Sequence, residues 1–242
     1  MHSTVYLFGT CPIDLSFPQA GLAAIRLLER AGVRVVYPQG QTCCGQPAYN
    51  SGYRDEARAV ARAQLDAFPE DWPVVVPSAS CAGMLKHQYP PLFAGTPDAA
   101  RAAAFAGRVV ELSDFLTRVL DLRLEDRGPP TRVAVHLSCS SRREMGVADA
   151  SLDLLGRLAN VETVEPEQAT ECCGFGGTFA VKQPEISAAM AADKAQAILA
   201  TGAQVLVGPD LGCLMNLGGT LARLGGGPRV CHLAEFVWER IA

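Results

Sequence analysis

The sequence predicts an α/β fold made of two tandem duplicated domains, each a small parallel sheet flanked by helices, related by pseudo-twofold symmetry. Three observations predict it. Short apolar runs alternate with segments of helical periodicity, residue strings of the first half recur in the second, and eight of the nine cysteines form two sets of nearly equal spacing. We expect a first domain over residues 1–127 and a second over residues 128–242, joined near a Gly- and Pro-containing stretch at 126–130.

Short β-branched or aromatic runs predict the strands of both sheets. These runs end at or near Gly, Pro or Ser, or lead toward an adjacent pair of cysteines, as buried parallel strands do. They cover residues 4–8, 33–37, 74–76, 133–137, 161–164 and 205–207.

Helices are predicted between these runs. Apolar residues recur every three to four positions over 18–31 and 151–159, and Ala-rich segments of high helix propensity cover 54–68 and 185–201. Alternation of strands and helices within each half predicts a parallel sheet. The strings at 108–115 and 229–236 also repeat, which supports duplication of one domain.

Cysteine spacing is the strongest part of the repeat. Each set contains a single cysteine, an adjacent pair followed by glycine, and a last single cysteine. The intervals are 31 and 36 residues in the first set and 32 and 39 in the second. The sets are Cys11, Cys43, Cys44 and Cys81, and Cys139, Cys172, Cys173 and Cys213. Since the single cysteines follow predicted strands, and ligands of open α/β sheets bind at that edge, we expect the four thiols of each half to converge.

Composition narrows the chemistry of these thiols. The chain is 49% apolar and 19% charged, carries a net charge of −4, and shows no basic block, signal sequence or membrane-spanning run. We therefore expect a globular, cytoplasmic protein without a nucleic-acid partner. Thiols in that compartment serve metal or redox chemistry more often than structural disulfides.

The arrangement of thiols favours iron–sulfur clusters, of the [4Fe-4S] type and one per half. Thiolates select zinc, copper(I) or iron–sulfur clusters, and four thiols match a cubane cluster. Neighbouring side chains diverge, so an adjacent cysteine pair is awkward for one tetrahedral ion. Gly45 and Gly174 would let the backbone pass close to a bulky cluster. Zinc, disulfides and free thiols remain alternatives.

The doubled pattern resembles the cysteine-rich, or CCG, domain family of iron–sulfur proteins. That family includes the cysteine-rich subunit of heterodisulfide reductase and the iron–sulfur subunits of glycolate and glycerol-3-phosphate dehydrogenases. Residues 42–53, 136–140 and 172–182 carry the resemblance. It implies that the eight patterned cysteines hold the clusters. It also implies an iron–sulfur component of a cytosolic system that oxidises L-lactate to pyruvate, with a ferredoxin-like iron–sulfur protein B and a protein C as partners.

Two alternatives to this function stay open. One is electron transfer for glycolate, glycerol-3-phosphate or heterodisulfide chemistry, and the other is a non-catalytic scaffold built on structural zinc. No flavin or nicotinamide motif is present, so catalytic residues are not assigned, and a small 2-hydroxy acid is only a candidate ligand. The chain departs from the family's fullest pattern, which ends in Cys-x-x-Cys, at Met84 and Asn216. Each site thus offers four thiols rather than five, which favours a cubane-type or open-iron cluster.

Some further residues lie outside the two cysteine sets. Cys231 is expected in the core, because Val110 is its repeat partner. His136 is either a hydrogen-bond donor to a cluster, a proton relay or a core histidine. His87, Lys182 and the Arg142–Arg143 pair are expected to face solvent.

Overall fold

Two parallel four-stranded sheets form the framework of the chain in a computed structural model, which describes residues 3–242. The first sheet has the strand order β2-β1-β3-β4 and the second β6-β5-β7-β8. The strands are β1 (Thr4–Leu7), β2 (Arg34–Val36), β3 (Val74–Val76), β4 (Val109–Glu111), β5 (Thr131–Val135), β6 (Val161–Val164), β7 (Val205–Gly208) and β8 (Arg229–His232). Since the order of the second sheet repeats that of the first, the predicted α/β fold with two duplicated units is confirmed. Met1 and His2, which belong to the expected first domain and to the expectation about signal sequences, lie outside the described residues.

Helices connect the parallel strands. They are α1 (Cys11–Leu15), α2 (Pro18–Arg30), α3 (Gln46–Asn50), α4 (Arg54–Ala67), α5 (Ala79–Gly83), α6 (Tyr89–Leu92), α7 (Ala99–Gly107), α8 (Leu112–Asp114), α9 (Ala148–Gly156), α10 (Phe179–Lys182), α11 (Pro184–Ala200), α12 (Leu211–Arg223) and α13 (Leu233–Ile241). Single π-helical turns cover Met84–Gln88, Phe115–Val119 and Ser140–Glu144. No helix of the part that the structure describes is long and apolar enough to cross a membrane.

All six predicted strands and all four predicted helices are present, with ends shifted by up to about three residues. The sequence did not predict β4 or β8. These edge strands are three and four residues long and carry charged or polar residues beside their valines, so their apolar runs are too short to stand out. Their pairing with β3 and β7 supplies the hydrogen bonds that local sequence does not reveal.

One apolar core joins the two halves. Successive side chains of a strand point to opposite faces of its sheet. Val5 and Leu7 of β1 therefore pack in one cluster with Val133 and Val135 of β5, while the intervening Tyr6 faces a separate cluster of the first half. Helices α2 and α13 pack against each other over the shared core. This burial holds the two units together and brings the carboxyl ends of both sheets into contact.

A buried ion pair fixes the segment between the sheets. Arg240 of α13 donates to both carboxylate oxygens of Asp126, at 2.7 and 2.8 Å, and its side chain is only 6% exposed. Gly128 lies against the guanidinium, and a Cβ at this position would overlap it. The connection between the halves is thereby tied to the last helix.

Candidate metal centre

All eight patterned cysteines line one cavity of about 360 Å³ at the carboxyl ends of the two sheets. Each single cysteine follows a strand. Cys11 begins α1 after β1, Cys81 lies in α5 after β3, Cys139 follows β5, and Cys213 lies in α12 after β7. The predicted convergence is confirmed, whereas the ligand role of these residues stays a prediction.

The first set forms two close sulfur pairs. The Sγ atoms of Cys11 and Cys43 are 4.0 Å apart, and those of Cys44 and Cys81 are 3.6 Å apart. Adjacent cysteines thus turn toward different partners, as diverging side chains require. Two thiolates on one tetrahedral ion with metal–sulfur bonds of about 2.3 Å lie about 3.8 Å apart, so each pair is spaced to share a metal ion.

The second set repeats this chain of contacts. Cys172 interacts with Cys139 and Cys173, and Cys173 in turn with Cys213. The backbone N–H of Gly174 points to Cys172 Sγ at 3.4 Å, as that of Gly45 points to Cys43 Sγ at 3.4 Å. The duplicated sequence therefore produces duplicated thiol geometry.

Hydrogen bonding within each set lowers the pKa of one thiol. The bond from Cys11, followed by that from Cys44, lowers the pKa of Cys43 to about 3. Contact with Cys139, and then with Cys173, lowers the pKa of Cys172 to about 2. The pKa of Cys11 is raised in turn, first by its bond to Cys43 and then by burial. A lowered thiol pKa favours metal binding at that sulfur, because metals bind the deprotonated form.

Glycine conformation allows the turn after each cysteine pair. Gly45 has φ of +86° and Gly174 has φ of +81°, a backbone region that residues with a Cβ avoid. At Gly174 a Cβ would also lie 2.5 Å from the carbonyl oxygen of Ser187. The expected freedom of the backbone is thus required at both positions.

The carbonyl of the second cysteine in each pair is held by a side chain that the sequence did not single out for this role. Tyr89 donates its hydroxyl hydrogen to the Cys44 carbonyl at 3.0 Å, and Asn216 donates an amide hydrogen to the Cys173 carbonyl at 2.8 Å. Asn216 stands where the fuller family pattern has a cysteine. It therefore positions the loop instead of offering a thiol, while Met84 is buried in the core of the first half.

A carboxylate between the two sites was missed by the sequence reasoning. Asp210, only 3% exposed, accepts hydrogen bonds from the Ser78 hydroxyl at 2.8 Å and the Ser80 N–H at 2.9 Å, both in the first half. Its other oxygen accepts from the hydroxyls of Ser138 and Ser141 in the second half. The sequence does contain a positional signal for Asp210. Ser78 and Asp210 hold equivalent places in the two repeats, after Pro77 at the end of β3 and after Pro209 at the end of β7.

His136 lies against the second set. It is 2% exposed, and neither ring nitrogen has a hydrogen-bond partner. One ring nitrogen and the sulfurs of Cys173 and Cys213 lie within 4.8 Å of one another. Burial is the main reason that the pKa of His136 is lowered to about 4.

The remaining candidates behave largely as expected. Cys231 is buried in the shared core, and His87 is exposed. Lys182 is exposed and places its ammonium 5.9 Å from the centre of the Tyr53 ring. Arg143 is exposed, but Arg142 is half-buried and pairs with Glu165, so the expectation of a solvent-facing pair is only partly correct.

Two matched sets of four thiols on duplicated α/β units define a class of cysteine-rich proteins. The Cysteine-rich (CCG) domain matches the chain twice, over residues 5–86 and 133–218. The chain belongs to the CCG cysteine-rich domain family.

Relatives within this group match over nearly the whole chain. Lactate utilization protein A of Geobacillus kaustophilus (strain HTA426) is 47% identical over 239 residues, which cover 98% of this chain and 99% of that protein. Lactate utilization protein A 2 of Bacillus cereus (strain 03BB102) is 41% identical and covers 96% of each chain.

A solved structure of a hypothetical protein from Helicobacter pylori has a similar fold. The similarity has a TM-score of 0.61 at 11% identity and covers 98% of this chain and 49% of the other. At this identity the similarity concerns the fold alone.

Proposed function

We propose that this chain is the iron–sulfur subunit of a cytoplasmic system that oxidises L-lactate to pyruvate. In this proposal each half holds one cluster, of the [4Fe-4S] type, through its four patterned cysteines. The observation that carries it is the convergence of all eight thiols on one cavity in two matched sets. The choice of L-lactate as the substrate rests on relatives that are named for lactate utilization.

The residues present fit a thiol-bound metal group. Each set combines a thiol of lowered pKa, a second thiol in contact with it and a glycine N–H directed at sulfur. N–H groups that point at sulfur also stabilise a reduced cluster and so tune its potential. Since Cys43 and Cys44 turn toward different partners, the set suits a group with more than one metal ion.

Electron transfer is the role we assign to these clusters. Oxidation of L-lactate to pyruvate releases two electrons and two protons, and iron–sulfur clusters accept electrons one at a time. None of the described residues that line the cavity is Arg or Lys, so a substrate carboxylate finds no cation there. This favours lactate binding on a partner. We infer partners corresponding to a ferredoxin-like iron–sulfur protein B and a protein C.

The limits of the two units also belong to this proposal. We place the first cluster-binding unit within residues 1–127 and the second within 128–242, with the Asp126–Arg240 ion pair at the join. Each cluster is then held by one unit, and electrons pass between units through the shared cavity.

Structural zinc is the competing function. The 3.6 and 4.0 Å sulfur separations suit two thiolates on one zinc ion as well as on one iron ion. Anaerobic purification followed by assay of iron, acid-labile sulfide and zinc separates the two. Iron and sulfide sufficient for two clusters, with an electron paramagnetic resonance signal after reduction, are expected. Stoichiometric zinc without iron after reconstitution would refute the proposal.

A second experiment tests the substrate. L-lactate is added anaerobically to the oxidised assembly of this chain with proteins B and C, and the cluster spectrum is followed. We expect bleaching with L-lactate and none with D-lactate. Glycolate and glycerol 3-phosphate serve as competitors, and bleaching by one of them alone would move the chain to the alternative electron-transfer function.

A further inference from the structure

We propose that His136 is a metal ligand of the second site, where one of its ring nitrogens binds the metal that Cys173 and Cys213 hold. Among residues 3–242, no histidine is grouped with the thiols of the first site in this way. The inference rests on the proposed function in assuming that the second set binds a metal, and it adds a ligand to four thiols.

The position of the ring points to a ligand. One ring nitrogen and the two sulfurs lie within 4.8 Å of one another, which places three donor atoms around a common point. Imidazole and thiolate together form common metal sites in proteins. The Asn216 amide nitrogen donates to the Cys173 carbonyl, and this side chain supplies no thiol to the site.

The lack of partners argues against a purely structural histidine. A buried imidazole is normally hydrogen-bonded through its nitrogens, since an unpaired polar group in the interior destabilises the fold. Within the described residues, the only other buried histidine follows this rule. His232 donates from Nε2 to the carbonyls of Pro77 and Pro209 and accepts the Ala234 N–H at Nδ1. His136 makes neither kind of bond.

Comparison of the two halves shows that the scaffold does not need an imidazole here. Phe8 occupies the equivalent position, three residues before Cys11, as His136 stands three residues before Cys139. Phe8 is fully buried and stacks on Phe68 at 5.8 Å between ring centres. The same place in the fold thus accepts an apolar ring beside the first thiol set. Only the second half carries an imidazole there.

The test uses the full chain with Cys43→Ser and Cys44→Ser, so that only the second set is loaded with iron and sulfide. Pulsed electron paramagnetic resonance of the reduced protein then measures nitrogen hyperfine coupling, with ¹⁵N-labelled histidine to assign it. We expect the strong coupling of a bound imidazole. It should be lost in His136→Gln and His136→Phe and kept in His87→Gln, a matched change at an exposed histidine. Because Phe8 fills the equivalent position in the first half, His136→Phe is the variant that we expect to fold best.

Two results would overturn the proposal. One is a loaded second site without strong nitrogen coupling, which includes the weak coupling of a hydrogen-bonded ring. The other is coupling that persists in both His136 variants. A control tests whether the effect of His136 is confined to the second site. In the protein with Cys172→Ser and Cys173→Ser, in which only the first set can be loaded, the iron content should be the same with and without His136→Phe.

Failure of the proposed function gives a different result. If the parent protein takes up no iron, titration with Co²⁺ alone tests histidine ligation independently. The visible absorption of Co²⁺ bound by thiolate and imidazole should change on His136→Gln and stay unchanged on His87→Gln. Identical spectra for the parent and His136→Gln would refute ligation by His136.

Discussion

Removal of the carboxylate of Asp210 should destabilise the chain even without metal, because this group joins the two halves. In Asp210→Ala the hydroxyls of Ser78 and Ser138 and the N–H of Ser80 lose their acceptor. An unsatisfied buried donor costs about 1–3 kcal/mol. The two hydroxyls have neighbouring serine hydroxyls to turn to, so each belongs at the low end of that range. We expect a total loss of about 3–5 kcal/mol.

The conservative change Asp210→Asn removes the carboxylate while it keeps the volume of the side chain. Asp210→Asn keeps one acceptor oxygen of similar shape and replaces the other by an NH₂ group that cannot accept. The expected loss is about 1–2 kcal/mol, less than half of that for Ala. Asp71→Asn provides the control, because its side chain is fully exposed and no measurable change is expected.

Guanidinium unfolding measures these differences. The apo protein is studied with a reductant and a chelator, so that metal binding adds nothing to stability. Thermal midpoints should fall in the same order, by about 2–4 °C for each kcal/mol in a chain of this size. A loss below about 1 kcal/mol for Asp210→Ala, or an equal loss for Asn and Ala, would refute the role assigned to this carboxylate.

Three further predictions concern single residues. Burial raises the pKa of Glu111 to about 7 from an unfolded value near 4.5, so the folded state binds the extra proton and stability falls as pH rises between these values. Urea unfolding from pH 4.5 to 8 should show a loss of up to about 3 kcal/mol in the free energy of unfolding, and a smaller loss in Glu111→Gln. The same pH dependence in both proteins would contradict this prediction. Gly45→Ala should cost about 1–2 kcal/mol for its left-handed backbone. Gly174→Ala should cost clearly more in the same assay, since its Cβ also meets a backbone oxygen of α11, and equal costs would speak against this clash. Finally, Cys231→Ala should keep the full iron content and Cys44→Ala should lose the iron of one half only, as chemical analysis will show; loss of iron in both variants would contradict the assignment of ligands.

The sequence predicted the thiol sets because their positions depend on local features. A cysteine that follows a buried strand reaches the carboxyl edge of the sheet wherever the helices pack, so Cys11 and Cys139 could be placed from spacing alone. The edge strands β4 and β8 could not be predicted in this way, because three or four residues do not establish a periodicity. The role of Tyr89 depends on how distant segments meet, and no local pattern records that. Asp210 has a repeat position after Pro209, but its hydrogen bonds to Ser78 and Ser80 depend on how the two halves meet.

The contact between the halves explains why this architecture is suited to one fused chain. Ser78 and Asp210 hold equivalent positions in the two repeats, and they hydrogen-bond to each other. Pro77 and Pro209 are likewise equivalent, and the single His232 imidazole donates to both of their carbonyls. These contacts therefore lie at the pseudo-twofold axis, where a symmetric dimer would have to place the same residue on both sides.

Symmetry at that axis would be unfavourable. Two buried carboxylates face to face would repel, and two serines would leave the second-half hydroxyls without their acceptor. A duplicated chain can place Ser on one side and Asp on the other. It can likewise place Phe8 at one thiol set and His136 at the other. Under the proposed function, the same freedom allows two sites of common origin to differ in their ligands and hence in reduction potential.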